Sequence, residues 1–321
     1  MSYKKLIRGF IFTVGLVGLH AVWANDYPQK SITLIAPFAP GASADGIARL
    51  MARELSAVLG QSVVVENKPG AGGATGLMAV AKSTPDGYTI GMGATGAISI
   101  APNLPDSPPL NPKTQLQPLA KVADIPLVFV ASKSSGLTSI KDLIAKAKVF
   151  EIPVANAGQY TAHHLSEELF ASMTKTKLIA APYKGSVPAV TDVIGGQGAG
   201  GVVDLTAASP HMKSGAIKAL AVTSATRTKL APDVPTVIES GVPGYVAPAW
   251  MGLFLPKGVP ADVTKTLSQA LQKILQKPEV QQQILALSAE PSYLSSEQFT
   301  QFIDKETARW GGVISNLPKE K

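Results

Sequence analysis

Between Thr33 and Gly60 the sequence reads TLIAPFAPGASADGIARLMARELSAVLG, and its turn of small residues has the composition of an anion site. An apolar run precedes the turn, and apolar residues at helical spacing follow it. The first turn of a helix offers unpaired N–H groups and the positive end of the dipole, which small residues let an anion approach. An ordinary strand-to-helix loop is the alternative. Ser43 or Asp45 is the expected helix cap.

Two further turns repeat this pattern. IPVAN predicts a strand that ends in NAGQYTAHHLSEELF, where Gly158, Tyr160 and Thr161 can present N–H and hydroxyl groups to a ligand. PYKGSVPAV supplies the third turn, with Lys184 as its one cation. A solvated loop lysine is the alternative reading of Lys184. Two helix starts facing one another would hold an anion at both positive ends.

Residues for enzyme chemistry are sparse. After the N-terminal segment the histidines are His163, His164 and His211, no cysteine is present, and neither G-x-S-x-G nor H-E-x-x-H occurs. We expect no metal site. A Ser–His–Asp triad of distant residues stays open, but nothing singles out a nucleophile. For His164, a hydrogen-bonded position in the first turn of a helix is favoured over a catalytic base.

Glycine motifs for nucleotides fail on context. GMGATG, Gly91 to Gly96, matches G-x-G-x-x-G, but we expect a proline-studded loop after it instead of a helix. PGAGGATG lacks the Gly-Lys-Ser/Thr ending of a phosphate-binding loop. We therefore expect no cofactor.

The elements that must hold these turns alternate between strands and helices. Alternation along the chain predicts an α/β fold with largely parallel sheets, which bind ligands at the carboxyl ends of strands. With 321 residues, of which 45% are hydrophobic and 16% charged, the chain is long enough for two domains. We expect a first lobe from residues 25–124 and 243–321, and a second from 125–242.

The N-terminus predicts export. Lys4, Lys5 and Arg8 precede a short apolar run, and Ala24 ends a small-residue cleavage site, so residues 1–24 match a signal peptide. A retained membrane anchor is the alternative. Without those three cations the chain has 26 basic and 22 acidic residues, a net charge of +4. Because the lysines are scattered, a nucleic-acid partner is not expected.

Several motifs together resemble one family. YPQKSITLIAPFAPG, VVVENKPGAGG, PDGYTI, PYKG, LAVTSATR, DVPTVIESGVPGY and GLFLPKGVP occur in this order. The chain resembles the Bug-type extracytoplasmic solute receptors of the tripartite tricarboxylate transporter family. The resemblance implies a two-lobed periplasmic binding protein of type II, each lobe a mostly parallel sheet flanked by helices. It further implies a monomer that closes on a small carboxylate and delivers it to the membrane components of a transporter.

The resemblance also implies which residues line the ligand site. Carried over onto this sequence they are Phe38, Ala39, Gly41, Ala42, Ser43, Thr95, Asn156, Ala157, Tyr160, Thr161, His164, Tyr183, Lys184, Asp204 and Trp250. Tyr160 stands where the family usually has glycine, and the run from Gly198 to Gly201 replaces bulkier residues. These departures predict a reshaped pocket and leave aliphatic and aromatic acids both open.

The sequence thus predicts a periplasmic, non-enzymatic receptor for an organic acid. Two alternatives remain open at this stage. One is a secreted α/β hydrolase, and the other is a partner that reports ligand to a membrane sensor.

Overall fold

The computed structural model describes residues 27–38, 40, 43–105, 107 and 109–316. The predicted signal peptide and its cleavage site lie outside these residues, as do Ala39, Gly41 and Ala42. The strands are β1 (Ile32–Ala36), β2 (Val63–Asn67), β3 (Thr89–Ala94), β4 (Leu116–Ile125), β5 (Leu127–Ser132), β6 (Ile152–Asn156), β7 (Leu178–Pro182), β8 (Gly200–Asp204), β9 (Ile217–Val222), β10 (Ala249–Pro256) and β11 (Glu290–Leu294).

Helices connect most of these strands. They are α1 (Ser43–Leu59), α2 (Ala74–Ala81), α3 (Pro112–Gln115), α4 (Ile140–Val149), α5 (Ala162–Thr174), α6 (Ser186–Gly195), α7 (Leu205–Lys213), α8 (Ala261–Gln276), α9 (Pro278–Ala286) and α10 (Ser296–Ser315). Helix α1 already begins at Ser43, so Asp45 lies inside its first turn and is not its cap.

Two mixed sheets organise the described chain. The first has the order β11-β4-β10-β3-β1-β2, and the second has the order β7-β6-β8-β5-β9. In the first sheet β1 pairs in parallel with β2 and β3, whereas β10 runs antiparallel to β3 and β4. In the second, β6 pairs in parallel with β7 and β8, and β5 runs antiparallel to β8 and β9. The chain therefore has the predicted α/β fold, with antiparallel strands inserted among the parallel ones.

Both faces of each sheet are covered, as the alternation of side chains in a strand allows. In the first sheet Leu34 belongs to the hydrophobic core that includes residues of α1 and α8, whereas the adjacent Ile35 belongs to a second core with residues of α2 and α10. In the second, Phe129 packs with Phe170 of α5, and Val130 packs with residues of α6 and α7. Loops at the strand ends are consequently held on a rigid, two-sided core.

One expectation about the glycine segments is wrong. A π-helical turn at Gly96–Ile100 follows GMGATG, and a 3₁₀ turn follows at Ala101–Asn103, where we expected a loop. Of the small residues before Asp204, Gly200 and Gly201 lie inside β8. A Cβ at Gly200 would come within 2.5 Å of the Val130 carbonyl oxygen, so this glycine permits close strand packing.

Candidate functional site

The predicted site residues gather at the ends of a few strands. Phe38 follows β1, Thr95 follows β3, Asn156 ends β6, and Asp204 ends β8. Carboxyl ends of parallel strands meet at one edge of a sheet, which is where α/β sheets bind ligands. The remaining described candidates lie at the start of α1, in the loops after β6 and β7, in α5, and at the start of β10: Ser43, Ala157, Tyr160, Thr161, His164, Tyr183, Lys184 and Trp250.

The turn after β1 is anchored by a polar network. Asn67, which ends β2, donates from Nδ2 to the Phe38 carbonyl at 3.0 Å and to Asp45 Oδ1 at 2.7 Å. Arg49 donates from Nε to Asp45 Oδ2 at 2.9 Å. The carboxylate of Asp45 is thus compensated by a cation one helical turn away. It does not act as an isolated negative charge at the start of α1.

The turn after β6 is closed by the first residues of α5. Thr161 caps this helix, since its hydroxyl accepts from the His164 N–H at 3.4 Å and donates to the Gly158 carbonyl at 2.7 Å. The Tyr160 N–H donates to His164 Nδ1 at 3.0 Å, which requires that nitrogen to be unprotonated. His164 Nε2 lies 3.5 Å from Glu168 Oε1. His164 therefore holds the turn through its ring.

Two residues of this turn have left-handed backbones. Gly158 has φ of 134°, and Tyr160 has φ of 57°. Glycine adopts positive φ freely, whereas a bulky side chain adopts it at a cost of about 1–2 kcal/mol. The sequence position at which the family usually has glycine is therefore one that favours glycine in this fold. The ring of Tyr160 lies 5.8 Å from that of His164, centroid to centroid.

Asn156 is fully buried and does not project freely from the end of β6. Its Oδ1 accepts from the Gly158 N–H at 3.0 Å, and its Nδ2 donates to Glu167 Oε2 at 3.1 Å. Its carbonyl accepts from the Tyr183 N–H at 2.9 Å, which ties the loop after β7 to the turn after β6. Glu167 was not among the predicted site residues, although its spacing from Phe170 places it on the buried face of α5.

Asp204 contacts two residues that were not among the predicted ligand-site residues. His163 Nε2 lies 3.0 Å from Asp204 Oδ1, and Ser186 Oγ donates to Asp204 Oδ2 at 2.8 Å. Burial alone would raise the pKa of Asp204, but the charge and hydrogen bond of His163 and the hydrogen bond from Ser186 outweigh it. The pKa of Asp204 is accordingly lowered. One sequence signal could have pointed to His163. It lies four residues before the buried Glu167 and so shares a face of α5 with it.

Thr95 and Trp250 join β3 to β10. The Trp250 N–H donates to Thr95 Oγ1 at 2.8 Å, and both residues are buried. The indole packs edge-on against Phe299 of α10, with ring centroids 5.3 Å apart. In this arrangement Trp250 is a core side chain behind Thr95.

The loop after β7 contributes Tyr183 and Lys184. Burial, together with a hydrogen bond to the Asp192 carboxylate, raises the pKa of the Tyr183 phenol. Lys184 is exposed, and none of the described residues forms an ion pair with it. This lysine is therefore a free cation at the edge of the turn.

The described residues contain neither a metal-binding cluster nor a membrane-spanning helix. No group of three or more His, Cys, Asp or Glu side chains that could hold a metal ion occurs among the described residues. Within the same residues, every helix is too short or too polar to cross a membrane.

Comparison with known proteins decides the family. The family model described as the tripartite tricarboxylate transporter family receptor matches residues 47–318. The chain belongs to this family of solute receptors. It is similar to the protein BugT of Bordetella pertussis, with 38% identity over 95% of this chain and 94% of that protein. Family membership agrees with the resemblance drawn from the motifs.

Solved relatives of the receptor share its fold. Rpa4515 of R. palustris, solved with adipate, is 32% identical, with a TM-score of 0.82 over 90% of this chain and 98% of that chain. MatC from Rhodopseudomonas palustris, solved with bound malate, is 28% identical, with a TM-score of 0.77 over 90% of this chain and 100% of that chain. The periplasmic binding protein BugD is 34% identical, with a TM-score of 0.77 over 90% and 98%. The receptor therefore has the fold of periplasmic binding proteins.

Proposed function

We propose that the receptor binds a small carboxylate in the periplasm and acts without catalysing a reaction on it. The observation that carries this proposal is the pair of small-residue turns that lead into α1 and α5 at the ends of β1 and β6. Each helix start supplies unpaired N–H groups and a positive dipole end, the chemistry that a carboxylate requires. Relatives solved with adipate and malate support the ligand class.

The proposal includes the site residues carried over from the family. Backbone N–H groups at the starts of α1 and α5 would hold one carboxylate group, with Thr161 and the free Lys184 beside them. Two lobes, residues 25–124 with 243–321 and residues 125–242, would close on the ligand as a monomer. The distribution of strands supports this division, since β1–β4 with β10 and β11 form one sheet and β5–β9 form the other.

The geometry of the Ser186–His163–Asp204 group argues against hydrolysis. In a catalytic triad the serine and the aspartate contact opposite nitrogens of the imidazole. Here Ser186 and Asp204 lie 3.5 Å and 3.0 Å from the same His163 Nε2, and the serine hydroxyl donates to the aspartate. His163 Nδ1 has no hydrogen-bond partner among the described residues. The trio is thus arranged to hold Asp204 and not to activate Ser186.

Thermal shift with purified protein tests the proposal. Malate, adipate, citrate, benzoate and phthalate form one series, and the corresponding neutral amides are the matched controls. Binding of ligand to the folded state alone raises the melting temperature by mass action. We expect at least one acid to do so while its amide does not, with the acid recovered unchanged by NMR. Consumption of an acid or an ester would instead favour the hydrolase.

A further inference from the structure

Glu167 is a fully buried carboxyl group directly beneath the turn after β6. Its Oε2 accepts one hydrogen bond, from Asn156 at 3.1 Å, and its Oε1 has no hydrogen-bond partner among the described residues. Burying a carboxyl group with so little compensation is unfavourable, and a glutamate is rarely found fully buried. An apolar residue at this position of α5 would pack at lower cost. We therefore infer that the carboxyl group makes a polar contact that an apolar side chain could not replace.

The partner of Glu167 explains that role. A side-chain amide has one accepting end and one donating end, and rotation by 180° exchanges them. In Asn156 the accepting Oδ1 holds the Gly158 N–H at 3.0 Å, while the donating Nδ2 faces Glu167. Rotation of this amide would place its NH₂ group against the Gly158 N–H, two donors without an acceptor between them. An acceptor at Glu167 fixes the amide in the orientation that the turn requires.

We propose that Glu167 is a positioning residue for the ligand, acting through Asn156 on the backbone of residues 157–161. This inference rests on the proposed function, in which the unpaired N–H groups at the start of α5, which follows that turn, bind a carboxylate. Glu167 itself touches no ligand. It selects the amide orientation that holds the Gly158 N–H, and with it the left-handed backbone of Gly158 and Tyr160 that leads into α5.

The backbone of this turn needs such a device because it is intrinsically unfavourable. Tyr160 has φ of 57°, and a left-handed conformation for a tyrosine persists only where its surroundings enforce it. Thr161 and His164 hold the turn at its helix end, through the Gly158 carbonyl and the Tyr160 N–H. The Asn156 amide holds it at the strand end. Loss of that support should loosen the start of α5, whose unpaired N–H groups would bind the ligand.

An acceptor, and not a negative charge, is what the proposal requires. Glu167→Gln keeps an oxygen that can accept from Asn156, whereas Glu167→Met keeps the approximate size and removes the acceptor. Ser166→Ala is the matched control in the same helix. Ser166 is also fully buried, but its hydroxyl donates to the Ala162 and Ala247 carbonyls and does not contact the Asn156 amide.

Calorimetry with malate and adipate as probes gives the first readout. We expect Glu167→Met to weaken binding about tenfold, equivalent to about 1.4 kcal/mol, and Glu167→Gln to weaken it less than about twofold. Ser166→Ala should lower the melting temperature without weakening binding. Equal losses for the Met and Gln variants would overturn the proposal, as would a loss of the same size in Ser166→Ala.

A double-mutant cycle separates positioning from general damage. If Glu167 acts only through Asn156, then Glu167→Met combined with Asn156→Ala should bind no more weakly than Asn156→Ala alone. Additive losses would contradict the proposed route. Each variant is first shown to be folded by its melting curve.

Amide hydrogen exchange tests the same idea without ligand. We expect the Gly158 and Tyr160 amides to exchange faster in Glu167→Met than in wild type or Glu167→Gln, because opening of the turn exposes them. If wild type binds no carboxylate but exchange behaves this way, the proposed function and the ligand-positioning role fail, and only the effect of Glu167 on the backbone of the turn is supported. Unchanged exchange in the Met variant, with wild-type binding intact, would reject the role of Glu167 alone.

Discussion

His163 Nε2 lies 3.0 Å from Asp204 Oδ1, so the first turn of α5 is joined to the end of β8. Ser186, the first residue of α6, adds a third connection through its 2.8 Å bond to Asp204 Oδ2 and accepts the Asp204 N–H at 3.0 Å. Three loops at the carboxyl edge of the second sheet are thereby held in one arrangement. The trio positions backbone groups that the proposed site uses.

This trio predicts a specific sensitivity to acid. The pKa of Asp204 is lowered in the folded protein, so its contribution to stability is present above the unfolded-state pKa of about 3.9 and is lost as pH falls through the lower folded value. We expect Asp204→Asn to be less stable than wild type at pH 6, by about 1–3 kcal/mol for a charged hydrogen bond. The difference should shrink below about pH 4. Urea unfolding between pH 2.5 and 6 measures it.

The exposed Asp233 provides a control, because Asp233→Asn changes the same group away from the trio. A difference between Asp204→Asn and wild type that stays constant across this pH range would contradict the ion pair as its source.

The left-handed backbone of Tyr160 predicts that glycine at this position gives a more stable protein than alanine does. Tyr160→Ala removes the ring and keeps a Cβ at φ of 57°, whereas Tyr160→Gly removes both. Relief of about 1–2 kcal/mol of strain, set against about 0.5–1 kcal/mol for the more flexible unfolded glycine chain, should leave the Gly variant more stable than the Ala variant by about 0.5–1 kcal/mol. Chemical denaturation of the two variants checks the order. An Ala variant as stable as the Gly variant would show that the backbone relaxes.

The fold followed from the sequence where patterns are local. Alternation of apolar runs and amphipathic segments predicted β1, α1, β6 and α5 because burial on one face imposes a period on the residues. The insertion of β5 and β10 as antiparallel strands could not be predicted, since strand direction depends on contacts between distant parts of the chain. The helical turns after Gly96 were missed for a similar reason. Their apolar residues, Ile98 and Ile100, are buried by elements far along the sequence.

The candidate site was predicted in outline only. Small residues before helix starts predicted where backbone N–H groups would be unpaired, because the first N–H groups of any helix lack an intrahelical acceptor. Side-chain partnerships were not visible: His163, Ser186 and Asp204 meet only when three strand ends converge. In the sequence Glu167 is indistinguishable from an exposed helical glutamate, because its burial depends on how α5 packs in the folded protein.

Burial of Glu167 predicts a stability that falls as pH rises. Burial raises its pKa well above the ordinary value, the hydrogen bond from Asn156 opposes this, and the Glu168 carboxylate adds to it. A raised folded pKa stabilises fully below the unfolded pKa of about 4.3, and that contribution is lost as pH rises through the folded value. As the pH rises from 5 to 8.5, we expect the melting temperature of Glu167→Gln to fall less than that of the wild type. Parallel curves for the two proteins would contradict a raised pKa of Glu167.

Glu297→Gln provides the matched control for this pH series, because Glu297 is an exposed glutamate of α10. Its curve should follow that of the wild type. A flattening of the same size in this variant would point to a general effect of removing one negative charge.

Ligand should bring the two proposed lobes together. A receptor that closes on its ligand populates open conformations without it, and ligand shifts the population toward the closed state. Small-angle scattering should therefore show a smaller radius of gyration with saturating malate or adipate, whichever binds. Bound ligand without compaction would contradict a two-lobed clamp and leave a preformed site.

The turn after β1 permits a direct test of anion binding. Helix α1 begins at Ser43, and Asp45 is already compensated by Arg49 and Asn67, so a new negative charge at position 43 would act on the ligand. Two like charges at about 4 Å, with an effective dielectric near 20, repel by roughly 4 kcal/mol before relaxation. We expect Ser43→Asp to weaken carboxylate binding about ten- to a thousandfold. Ser43→Asn, nearly the same in shape and uncharged, should weaken it far less. Calorimetry on both folded variants decides, and equal affinities would remove this turn from the site and leave the turn around Thr161 as the main anion site.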